Sequence, residues 1–240
     1  MLYTTQQRRG CWKIKIRLRN NNLQTKIKFC GLTRAEDVLL AADLGVAALG
    51  FVCVPASKRY VDIEQAAALV RATPPFVHAV GLFQNAPAEL VRATLMRTNF
   101  SMLQFHGAED AAYCASFGLP FMKAIPMADA PDLNQCAIAF RQASALLLDS
   151  HSLLGTDKIG GSGHCFDWAS IGASVAHLKL QNPPSYWVLA GGLTLDNVAS
   201  GIRLLKPYAV DVSSGIESAP GIKDAEKMRQ FVHAVRTALL

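Results

Sequence analysis

The 240-residue sequence has no run of eighteen apolar residues, no CxxC pair, no GxGxxG turn and no linker rich in Pro, Gly or Ser. The first absence excludes a membrane-spanning helix, and the opening residues lack the apolar middle and small-residue cleavage site of a secretory signal. A soluble, cytoplasmic chain without a membrane partner is expected. The six cysteines (Cys11, Cys30, Cys53, Cys114, Cys136 and Cys165) are irregularly spaced. They fit neither a disulfide framework nor a structural zinc site, so reduced thiols and no metal are expected.

Acidic residues are missing from one stretch. Residues 1–28 carry Arg8, Arg9, Lys13, Lys15, Arg17, Arg19, Lys26 and Lys28 and no acid, whereas the remainder has 16 basic and 18 acidic side chains. The overall charge of +6 is therefore a property of the leading stretch. Such a stretch suits a solvated leader, an organellar presequence or a contact with an anionic surface. The solvated leader, residues 1–25, is the expectation. Nothing else interleaves aromatic and basic residues, so no nucleic-acid partner is expected.

What is present is an alternation. From Lys26 onward, short apolar or β-branched runs at 26–30, 48–52, 77–83, 102–105, 121–125, 145–149, 186–190 and 209–213 are separated by helical patterns. This spacing predicts eight βα units. Ala145, Leu146, Leu147 and Leu148 form the continuous apolar run of a parallel strand covered on both faces. Met228, Phe231, Val232, Val235 and Leu239 recur at helical spacing, with Asp224 placed to cap that last helix. The fold class expected for residues 26–240 is α/β, a single-domain (β/α)8 TIM barrel. An open doubly wound sheet would call for a glycine-rich first turn, and the turn here is Cys30-Gly31-Leu32-Thr33. The one long loop, 150–167, follows the sixth strand and is expected to act as a lid.

In a barrel, residues just past the carboxyl ends of strands face the active-site mouth. Gly191 and Gly192 after the seventh strand, and Ser213, Ser214 and Gly215 after the eighth, leave backbone N–H groups bare enough to surround a phosphate. Other strand-end residues stay open between two readings. Cys30 is either a packing thiol or a base activated by the start of a helix. Asp149 is either a turn aspartate or a general acid raised by lid closure. Arg59 is a surface arginine or a bidentate carboxylate grip. His106 is a proton shuttle or, like Lys123, a supporting group.

Taken in order, the segments Lys28-Phe29-Cys30-Gly31-Leu32-Thr33, Gly50-Phe51-Val52 with Ser57 and Arg59, Val80-Gly81-Leu82-Phe83 with Asn85, and Leu103-Gln104-Phe105-His106-Gly107 resemble the phosphoribosylanthranilate isomerase family. So do Asp149-Ser150, Gly160-Gly161-Ser162-Gly163 with Phe166-Asp167-Trp168, Leu189-Ala190-Gly191-Gly192-Leu193 with Asn197, and Asp211-Val212-Ser213-Ser214-Gly215-Ile216-Glu217. The resemblance implies an Amadori rearrangement of a phosphorylated aminosugar in tryptophan biosynthesis, with no cofactor, by a monomer or homodimer. It implies Asp149 as general acid and Cys30 as general base, with Arg59, His106, Gly191, Gly192, Asp211, Ser213, Ser214 and Gly215 binding substrate. Against the family pattern, Lys58 replaces the usual proline of the second loop and Ser162 a threonine. The alternatives are another phosphate-binding barrel isomerase and a non-catalytic phospholigand-binding protein. Neither explains Cys30 together with Asp149.

Overall fold

The computed structural model of the chain describes residues 24–150, 167–178 and 186–239. The basic leader up to residue 23, Cys11, Cys165, residues 151–166 of the expected lid and its Gly160-Gly161-Ser162-Gly163 run lie outside them.

Alternation of strand and helix follows the sequence rhythm closely. The strands are β1 (Lys26–Cys30), β2 (Ala48–Val52), β3 (His78–Phe83), β4 (Met102–Phe105), β5 (Phe121–Pro126), β6 (Ala145–Asp149), β7 (Trp187–Leu189) and β8 (Ala209–Val212). Each pairs in parallel with the next, and β8 returns to β1 with Lys28 opposite Asp211, which closes the barrel. The helices are α1 (Ala35–Asp43), α2 (Ile63–Ala72), α3 (Ala88–Arg97), α4 (Ala111–Ala115), α5 (Leu133–Ala139), α6 (Trp168–Leu178), α7 (Val198–Leu205) and α8 (Ala225–Thr237). A hairpin, β9 (Glu217–Ala219) with β10 (Ile222–Lys223), lies between β8 and α8. Strand ends differ from the sequence expectation by at most one residue, within the usual uncertainty of hydrogen-bonded boundaries.

The two-residue period of the strands sorts their side chains into two cores. Phe29, Phe51, Phe83, Phe105, Leu146, Leu148 and Leu189 point outward, into the layer beneath the helices. Val80, Met122, Ala124, Ala145, Leu147, Val188, Ala190 and Ala209 fill the barrel interior. Both faces are covered, which is why the strands read as unbroken apolar runs. Small interior residues fit the narrow bore of an eight-stranded barrel. Towards the carboxyl end this interior opens on Cys30, Val52 and Leu82. Helix α4 has only five residues, and an aromatic cluster secures it: Tyr113 and Phe117 both pack on Phe105.

Lys26 and Lys28, counted above with the basic leading stretch, belong to β1. Lys28 is 3% exposed and its ammonium binds both oxygens of Asp211 at 2.9 Å. Helix α8 buries Met228, Phe231, Val232 and Val235 as its spacing predicts, but Leu239 lies beyond the helix end and is exposed.

Asp224 caps α8 by accepting from the N–H groups of Glu226 at 2.9 Å and Lys227 at 3.0 Å. Asp224→Ala is expected to lower unfolding free energy by about 1 kcal/mol, the usual value of such a cap. Urea titration checks this, and an unchanged midpoint would show that α8 is held by its buried stripe alone.

Candidate active site

The strands' alternating directions bring the chemically able side chains to one place. A cavity of about 710 Å³, counted with its opening to solvent, lies at the carboxyl end of the barrel. Cys30, Arg59, His106, Asp149, Gly191, Gly192, Asp211, Ser213 and Ser214 all line it; Gly215, also expected there, does not.

Cys30 ends β1 and is 7% exposed. The expected lowering of its pKa by a helix start is absent, because α1 begins only at Ala35, beyond an intervening turn. Burial pushes the thiol above its ordinary value; Lys28 and Lys223 pull it back, and Asp211 adds to the rise. Gly31 adopts φ +74°, and a side chain there would collide with the stem of Arg59, so glycine leaves room for Arg59 to lie against this turn.

Asp149 ends β6, three strands round the barrel from β1, and is 7% exposed, with one oxygen 3.5 Å from His106 Nε2. The other ring nitrogen, Nδ1, lies 3.2 Å from the Gln104 amide. Gln104 and His106 share the inward face of β4 and its end, so the strand aims the imidazole at the carboxyl. Lys123, one residue out of that parity on β5, instead binds Glu109 at 3.0 Å and the Gly107 carbonyl. Glu109 in turn accepts from the N–H groups of Gly107 and Asn85, so Lys123 braces the loop after β4.

Arg59 does not stand free. Its Nε and Nη2 donate to the two oxygens of Glu217 at 2.8 and 2.7 Å. Glu217 also binds Lys223 at 2.8 Å, and Lys223 donates to the carbonyls of Cys30 and Ser213 at 2.6 and 3.1 Å. The β9–β10 hairpin thus ties the ends of β1 and β8 to the loop after β2. Burial acts to raise the Glu217 carboxyl, yet Arg59 and Lys223 together hold it below its ordinary value. Burial dominates at Lys223 and lowers its ammonium despite Glu217. The loop carrying Arg59 is closed by turn hydrogen bonds, Ser57 N to the Val54 carbonyl and Tyr60 N to the Ser57 carbonyl, so it keeps its shape with Lys58 in place of proline.

The loops after β7 and β8 press on their neighbours. Gly191 and Gly192 have φ of +79° and +63°, and a side chain on Gly191 would strike the backbone of Ser150. A side chain on Gly215 would strike the carbonyl of Leu193, so Gly215 packs the two loops together from behind the cavity. Ser213 Oγ is buried without a hydrogen-bond partner. A buried unpaired hydroxyl is costly and usually awaits a ligand or water.

Sequence reasoning missed Lys28, Gln104, Glu217 and Lys223 as parts of the site. For the first two the signal was parity: each lies two residues before a strand-end candidate and so shares its inward face. The other two sit on a hairpin whose return to the barrel mouth leaves no periodic trace. Among the described residues no cluster of three His, Cys, Asp or Glu forms a metal site, and no helix is long and apolar enough to cross a membrane.

A closed parallel barrel with a concave mouth of titratable groups at its strand ends defines a (β/α)8 enzyme. The family model for N-(5'-phosphoribosyl)anthranilate (PRA) isomerase matches residues 27–234. A relative from Dechloromonas aromatica, N-(5'-phosphoribosyl)anthranilate isomerase, is 47% identical over 216 residues, covering 90% of this chain and 98% of the relative. The crystal structure of phosphoribosyl anthranilate isomerase from Thermotoga maritima superposes with a TM-score of 0.76 at 32% identity, covering 88% and 98% of the two chains. Another solved isomerase, in complex with reduced 1-(o-carboxyphenylamino)-1-deoxyribulose 5-phosphate, has a TM-score of 0.74 at 32% identity with the same coverage. The chain belongs to the N-(5'-phosphoribosyl)anthranilate isomerase family.

The Glu217 network yields a test by pH. A carboxylate lowered on folding contributes stability that is full above its ordinary value of 4.5 and is lost as pH falls through the lower folded value. Glu217→Gln should therefore be less stable than wild type at neutral pH. The gap should narrow as denaturant titrations are carried progressively below pH 4.5. A gap independent of pH would show that the carboxylate's charge is not what stabilises the network.

Proposed function

We propose that this chain catalyses the Amadori rearrangement of N-(5'-phosphoribosyl)anthranilate in tryptophan biosynthesis, with Asp149 as general acid and Cys30 as general base. The observation that carries the assignment is that both line one cavity from separate strands, beside loops suited to an anion. Asp149 gives its proton to the furanose ring oxygen, the ring C–O bond breaks, and a protonated imine forms at C1'. The positive nitrogen acidifies the C2' hydrogen. Cys30, as thiolate, takes that proton and the C2'–H electrons form the enolamine, which tautomerises to the ketone. The rearrangement is an internal oxidation and reduction, so it requires no external oxidant.

The opposite tasks of the two groups fit their neighbours. Cationic side chains around Cys30 favour its anion, whereas His106 orients Asp149 while itself facing the substrate. Gly191, Gly192, Ser213 and Ser214 receive the phosphate, with the unpartnered Ser213 hydroxyl as one donor and Gly215 holding the two loops in register. Arg59 turns its Nη1 edge to the anthranilate carboxylate, because Glu217 occupies the other edge. Asp211 meets the sugar hydroxyls with lone pairs that Lys28 leaves unused. Grip at both ends positions the reacting carbons between acid and base. Four free cysteines among the described residues suit a cytoplasmic location.

The test is loss of substrate fluorescence on turnover of freshly made N-(5'-phosphoribosyl)anthranilate. Cys30→Ala and Asp149→Asn should each lower turnover by about 10²- to 10⁴-fold, the range typical of a lost acid or base. Cys30→Ser should also lose most activity. Near-normal turnover in the alanine or asparagine variant would refute its assigned role.

A further inference from the structure

Lys28 touches no substrate in the reaction described so far, yet a lysine inside a barrel is expensive to bury. It points inward from β1 two residues before Cys30, and its ammonium is pinned by both oxygens of Asp211 across the seam with β8. A methyl group built on Gly50, the β2 residue opposite Cys30, would sit 2.8 Å from Cys30 Sγ and 3.1 Å from Lys28 Nζ. Glycine at that position is what lets sulfur and ammonium border one small space.

We propose that Lys28 is a positioning residue: held by Asp211, its ammonium donates to Cys30 Sγ and maintains the ionised sulfur that the isomerisation needs. This rests on Cys30 being the base. The charges around the sulfur support it from every side. Lys28 on β1, Lys223 on β10 and Arg59 after β2 supply three cations, while Asp211 on β8 and Glu217 on β9 supply two carboxylates. Among these five groups cations outnumber carboxylates by one, which favours the ionised sulfur, and Asp149 enters as the proposed proton donor. When the thiolate takes the substrate proton, Lys28 keeps its pairing with Asp211, so no buried cation is left without a partner.

The experiment follows alkylation of Cys30 by iodoacetamide against pH, read by mass spectrometry of the peptide that contains it. This reports the thiolate without substrate, and is therefore separate from the loss of turnover in Cys30→Ala that tests the base itself. In Lys28→Met the midpoint should rise by about one pH unit or more, the effect of removing a neighbouring opposite charge. Turnover at neutral pH should fall with little change in KM. Lys28→Arg, which keeps the charge, should retain most of the wild-type profile. Lys28→Met/Asp211→Asn removes both charges, leaves no unpaired buried carboxylate if the single variant folds poorly, and should still show the raised midpoint. An unchanged midpoint in Lys28→Met, or a wild-type midpoint in the double variant, would overturn the proposal and leave the pair a neutral strut. A raised midpoint in Lys28→Arg equal to that of Lys28→Met would also contradict it.

Discussion

The first strand meets the last at a seam held by a buried ion pair, and the site depends on that seam. Lys28 places its ammonium between the two oxygens of Asp211, directly beneath Cys30. Burial pushes the Asp211 carboxyl up against the pull of Lys28, whereas at Lys28 burial is outweighed by Asp211 and Cys30 together, which raise its ammonium. Such a pair adds little net stability compared with an apolar filling, although removing one member costs about 3–5 kcal/mol because a buried charge is stranded. Stability alone is thus a weak reason for its presence. A second buried lysine, Lys223, reaches the carbonyls of Cys30 and Ser213, so the ends of the same two strands are clasped again one layer higher.

From this seam the electrostatics of the cavity spread outward. Glu217 joins Lys223 to Arg59, so the guanidinium is aimed by the hairpin that also clasps the seam. The side of the cavity formed by β4 and β6 is organised separately, by Gln104, His106 and Asp149. Two carboxyl groups of the barrel therefore meet different surroundings: Asp211 has an ammonium on both oxygens, and Asp149 faces an imidazole. A rearrangement that needs a proton given and a proton taken in one cavity calls for such a division.

Much of the fold was legible because a strand covered on both faces must be apolar without interruption, as in Ala145 to Leu148, and because α8 repeats its buried residues at helical spacing. Position at the carboxyl ends of strands likewise made Cys30, His106, Asp149 and Ser213 readable as neighbours. Other features depend on partners remote in the chain. Arg59 meets Glu217 across 158 residues of sequence, and no local pattern encodes that the grip is already half occupied. Lys28 looked like the end of a basic leader because charge was counted by segment, whereas its pairing with Asp211 spans the whole barrel. The surroundings of Cys30 were misjudged for a geometric reason: an intervening turn separates it from α1, and burial governs instead.

In the proposed reaction, thiol and carboxyl act on one substrate from separate strands, with its phosphate beyond β7 and β8. A crystal structure of this chain with reduced 1-(o-carboxyphenylamino)-1-deoxyribulose 5-phosphate tests it most directly. The phosphate should lie on the N–H groups and hydroxyls of Gly191, Gly192, Ser213 and Ser214, C2' should face Cys30 Sγ, and Asp149 should lie on the far side of the sugar chain. A ligand whose phosphate sits elsewhere, or whose C2' is turned away from the sulfur, would contradict it.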